Sequence, residues 1–75
     1  MPVLPCVSGR ICVTALQKIG YICVRQRGSH IRLHHVTRQP VTVPLHKTLD
    51  RGTLKSILRT ADLSVDEFTR LTKNL

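Results

Sequence analysis

Near the start of the chain, Cys12, Ala15, Leu16 and Ile19 fall at i, i+3, i+4 and i+7, the spacing of one buried helical face. Ser8 stands where an N-cap belongs, and Gly20 where a left-handed residue would end the helix. The β-branched Ile11, Val13 and Thr14 weaken such a helix in isolation, so it has to form against a sheet. From Tyr21 the rhythm changes. The runs "YICVRQ", "SHIRLHHV" and "VTVPLH" are rich in β-formers, with Arg27-Gly28 as a tight turn and Thr37-Arg38-Gln39-Pro40 as the second link. Links this short predict a three-stranded antiparallel meander. Pro44 has no N–H for a ladder, which puts the third strand at an edge or ends it there.

Helical spacing returns after Asp50. Leu54, Ile57, Leu58 and Ala61 share one stripe, and Arg51, Lys55 and Arg59 repeat on another. Ser64 and Glu67 then form an S-x-x-E capping box before a last helix with Val65, Phe68, Leu71 and Leu75 at its apolar positions. The predicted order is α-β-β-β-α-α. It reads as an α+β fold with helices on one face of the sheet and the other face open.

Alternation within "SHIRLHHV" sorts the histidines. Ile31 and Leu33 turn to the core, with His35 on their side, so His30, Arg32 and His34 face outward. His30 and His34 are then roughly 13 Å apart along the strand, too far for one metal ion held about 2.1 Å from each ligand nitrogen. No metal or other cofactor is expected.

At 75 residues the chain is a single domain, spanning 8–75 behind a loose N-terminal arm, 1–7, that carries Pro2 and Pro5. Tyr21 and Phe68 are its only aromatics, which argues against single-strand binding by base stacking. The charge changes the picture more. The formal net charge is +8, and all of the acids (Asp50, Asp62, Asp66, Glu67) lie at position 50 or later. A surface so one-sided attracts polyanions, either nucleic acid or an acidic protein. Cys6, Cys12 and Cys23 are odd in number and have no C-x-x-C spacing, which fits reduced, mostly buried thiols in the cytoplasm. The opening "MPVLPCVSG" lacks the basic start and apolar run of a secretion signal, and no apolar segment approaches membrane-spanning length, so no membrane partner is expected.

The outward histidines and the arginines around them admit three readings: phosphate contacts, a catalytic base, or solvated side chains. An imidazole, which ordinarily titrates near pH ~6.5, is suited to taking a proton from an RNA 2′-hydroxyl while Arg or Lys stabilises the charge growing on phosphorus. The basic stripe of the second helix, with amide donors near Gly52 and Thr53, is either a phosphate site or a solvated face.

Three motifs occur in order: "GSH" after a basic strand end, "VTVPLH", and "RGTLKSILRTADLSVDEF". Together, from about Ser8 to Phe68, they resemble the HicA family of toxin messenger-RNA interferases. The resemblance implies a fold like the double-stranded-RNA-binding domain and an endoribonuclease acting on messenger RNA; the reaction is expected to be metal-independent, with no DNA partner. His30, the histidine of G-S-H, would be the general base, and Gly52, Thr53 and Leu54 match the family's Gly-Thr-Leu segment. It also implies a HicB-type antitoxin that covers the active site. Arg25, Arg27, Ser29, Arg32, His34, Lys47, Arg51 and Lys55 are the candidate RNA contacts, inferred from charge and nearness in sequence. Two departures stand out: Ile31 occupies a place where many members have a second histidine, and the usual acidic residues of the first helix are absent. The alternative is a non-catalytic double-stranded-RNA-binding module, although its lysine-rich last helix has no clear counterpart.

Overall fold

The Ser8 hydroxyl accepts a hydrogen bond from the Ile11 N–H at 3.1 Å and opens helix α1, Gly9–Gln17, in a computed structural model that describes residues 3–75. Cys12, Ala15 and Leu16 are fully buried along its inner face, and Ile19, just past the helix, packs half-buried against the same core. Gly20, at φ +103°, turns the chain into the sheet. Three antiparallel strands follow, β1 (Ile22–Arg27), β2 (His30–His34) and β3 (Val41–Pro44), in the spatial order β1-β2-β3. Pro44 ends β3 on the outer edge, where its missing N–H breaks no ladder. The hairpin turn is Gly28-Ser29, one residue later than expected from sequence, because Arg27 stays paired with His30 and Gly28, at φ +55°, makes the reversal.

Helix α2 spans Arg51–Thr60 and α3 spans Val65–Thr72. The Asp50 carboxylate caps α2 by accepting from the Thr53 N–H at 2.6 Å, and that hydrogen bond holds its pKa below the ordinary carboxylate value. At α3 the capping box closes in both directions: Ser64 Oγ accepts from the Glu67 N–H and Glu67 Oε1 accepts from the Ser64 N–H. The α-β-β-β-α-α order and the α+β architecture are therefore those read from the sequence. Leu16, Leu33, Val43, Leu54 and Phe68 fill the space between sheet and helices, each contributing about 1.5–3 kcal/mol by its removal from water. Tyr21 is buried with them, its hydroxyl donating to the Gln39 carbonyl at 2.8 Å.

Two expectations change. Of the three cysteines only Cys12 is buried, and burial pushes its thiol up to about 12; Cys6 and Cys23 are exposed. Cys6 precedes the first helix, and Cys23 lies on a strand whose six residues are all exposed. The arm is docked at its inner end, where Leu4 packs on the core and Val7, itself buried, accepts at its carbonyl from the Leu49 N–H at 2.8 Å. Met1 and Pro2 lie outside the described residues.

Two backbone segments approach closely at Gly9. Its N–H donates to the His46 carbonyl at 3.0 Å, and a Cβ there would collide with the Pro44 carbonyl oxygen and crowd Leu45 Cα. Both neighbours are backbone, so neither can swing away. Gly9→Ala is expected to destabilise the fold by roughly 1–3 kcal/mol, read as a lower urea midpoint at unchanged slope.

Candidate active site

The open face of the sheet is assembled by register. Ile22 pairs with His34 and Cys23 with Leu33, but the next pairs are Arg25 with Arg32, Gln26 with Ile31 and Arg27 with His30. Val24 is the extra residue of a β-bulge. Strict alternation from the buried Tyr21 would carry Arg25 and Arg27 to the helix side. The bulge reverses the phase, and both arginines join His30 and Arg32 on the open face.

These four residues and Thr42 line a shallow cavity of about 320 Å³. Its walls hold three guanidiniums, an imidazole and a hydroxyl, with no acid among them. Arg25 lies directly across the ladder from Arg32, a like-charge pairing that costs stability in the free protein and that an anion between the two would relieve. Arg32 Nη1 donates to Thr42 Oγ1 at 3.0 Å, which steers the guanidinium toward β3. Thr42 is the one lining residue missed in the sequence. Its signal was there, since Val41 and Val43 are buried on the core face and alternation sends the residue between them outward.

His30 begins β2, flanked across the ladder by Arg27 on one side and Pro44 on the other. The turn before it is held twice: Gln26 Nε2 donates to the Gly28 carbonyl at 3.1 Å, and the Ser29 carbonyl accepts from the Leu45 N–H at 2.6 Å. An exposed imidazole thus rides on a fixed backbone, the condition for presenting it reproducibly to a bound group.

The other sequence candidates lie elsewhere. Ser29 enters through its backbone, as just described. His34 is at the far end of β2 opposite Ile22, and Lys47 lines a separate concavity with Arg10 and His46. Arg51 and Lys55 are exposed on α2, away from the cavity, and the amide of Thr53 at the start of that helix is occupied by the Asp50 carboxylate. His35 has a structural role. Its Nδ1 accepts from the N–H groups of Thr37 at 3.0 Å and Arg38 at 3.2 Å, which leaves Nε2 to donate to the Ile19 carbonyl at 2.7 Å, and its ring lies 4.9 Å from that of Tyr21.

Among the described residues no three His, Cys, Asp or Glu side chains are grouped as metal ligands, and no helix is long and apolar enough to cross a membrane. Residues 9–63 match a family model described as the HicA toxin of bacterial toxin-antitoxin, a span that takes in α1, the whole sheet and α2. Among curated proteins none matches the chain.

Proposed function

Because the chain belongs to the HicA family of bacterial toxin-antitoxin systems and has the double-stranded-RNA-binding-domain-like α+β fold of that family, we propose that it cleaves messenger RNA at the open sheet face. The observation that carries this reading is the convergence of His30 with Arg25, Arg27 and Arg32 in one acid-free cavity.

In the reaction, His30 accepts the proton of a ribose 2′-hydroxyl as that oxygen attacks the adjacent phosphorus. The O2′–P bond forms, the P–O5′ bond breaks in line with it, and the leaving oxygen takes its proton from solvent. The arginines bind the non-bridging oxygens, whose negative charge grows in the transition state. Guanidinium suits the task because it stays charged and presents forked donors to phosphate. Thr42 restrains Arg32 in that position.

The chemistry predicts its products. Purified protein acting on purified RNA should leave 2′,3′-cyclic phosphate and 5′-hydroxyl ends, and should continue in the presence of EDTA. Ends bearing 5′-phosphate, or activity that disappears with chelator, would instead indicate water activated by a metal ion. The same basic face is suited to an acidic HicB-type antitoxin, which would inhibit in the cytoplasm by occupying the cavity and would be drawn to it by long-range attraction.

A further inference from the structure

We infer that a second concavity, lined by Arg10, His46 and Lys47 with Ser8 and Leu45, binds backbone phosphates of the RNA beyond the scissile one. The inference rests on the reading of the chain as an RNA-cleaving protein and specifies how it holds a strand longer than the reacting dinucleotide.

This concavity, about 230 Å³, gathers two cations, an imidazole and a hydroxyl, again with no acid in its lining. Asp50 is the nearest acid along the chain. Its carboxylate is engaged as the cap of α2, accepting from the Thr53 N–H. The Ser8 oxygen accepts from the Ile11 N–H, so its own proton remains available to an incoming oxygen.

The concavity is tied to the active cavity by backbone. Leu45 donates its N–H to the carbonyl of Ser29, the residue before His30, and His46 accepts at its carbonyl from the Gly9 N–H. The segment after β3 is thereby clamped between the catalytic turn on one side and the first turn of α1, which carries Arg10, on the other. β3 contributes Thr42 to the active cavity, and His46 follows four residues later, at most roughly 13 Å along an extended chain. A further depression, lined by the polar Arg10, Thr14, Gln17 and Gln26 together with Val13, Ile31 and Leu45, shares Arg10 and Leu45 with the second concavity, so the two adjoin along α1.

The aromatic content favours such a subsite. Tyr21 and Phe68 are both buried, so neither ring is available for stacking bases, and affinity for single-stranded RNA then rests mainly on phosphate contacts. Two separated clusters on a rigid frame hold a strand in one direction, whereas one cluster would hold only a phosphate.

The test uses the full chain with His30→Ala, so that RNA is bound and not cut. Affinity is measured by fluorescence anisotropy over a range of salt for a dinucleotide and for an unstructured RNA of about 12 nucleotides, a length within the site sizes of other single-strand binders. Adding Arg10→Gln and Lys47→Gln should weaken the longer RNA by about tenfold and flatten its log Kd against log salt by about 1.4, near 0.7 for each phosphate no longer neutralised. The dinucleotide should be unaffected. Both side chains are exposed, and circular dichroism checks that the variant is folded. An unchanged salt slope, as expected if the patch serves an acidic protein instead, overturns the inference alone. So does equal weakening of the two RNAs. A parent that binds neither RNA overturns both the inference and the reading beneath it.

Discussion

Replacing His30 by alanine should lower RNA cleavage by about 10²–10⁴-fold, the usual contribution of a positioned general base, and leave the fold intact. The side chain is exposed at the first position of β2, and its place in the sheet is kept by backbone pairing with Arg27 and Pro44. Truncation therefore removes neither core nor ladder. Induced in cells, the parent should arrest growth and His30→Ala should not, at equal soluble expression. His34→Ala is the matched control, since His34 lies on the same strand and face but at the far end, outside the cavity, and should reduce cleavage less than about tenfold. If His30→Ala arrests growth as the parent does, the imidazole is not the base.

Arg25→Thr should act on activity and stability in opposite directions. Arg25 faces Arg32 across the ladder, and like charges so placed oppose the sheet by roughly 0.2–1 kcal/mol. Threonine is a good strand former and carries no charge, so the variant should be slightly more stable than the parent. Cleavage should nevertheless fall by about 10²–10³-fold, the loss typical when one donor to a developing oxyanion is removed. The decisive comparison is thermal unfolding against rate. A variant that is less stable would mean that the arginine has a structural partner, and one that is stable and fully active would place the transition-state contacts elsewhere. The expected combination is that of a sheet whose charge repulsion is retained because an anionic substrate relieves it.

Much of this was legible in the chain. The inner stripes of α1 and α2, the caps at Ser8 and Ser64, and the edge position of β3 follow from relations within a few residues, and the structure has them where the spacing put them. The outward position of His30 followed from alternation around Ile31 and Leu33. The two exposed cysteines were not legible: Cys6 lies in the segment before α1, and the exposure of Cys23 depends on how far the helices cover β1, whose six residues are all left exposed. Nor was the separation of Lys47, Arg51 and Lys55 from the cavity. Charge attracts at long range and says little about which cations share one phosphate.

The sequence by itself determined the order of elements, the apolar faces and which histidines of β2 turn outward, because each is set by short-range periodicity that any packing must respect. Only the tertiary structure decided that Arg25 and Arg27 stand beside His30. Tyr21 is held in the core at one end of β1, and the Gly28-Ser29 turn holds Arg27 opposite His30 at the other. Between these two anchors strict alternation sends the arginines to the wrong face. The extra residue, Val24, is absorbed as a bulge on an edge strand, where an unpaired residue disturbs only one ladder, and that local break in regularity completes the site.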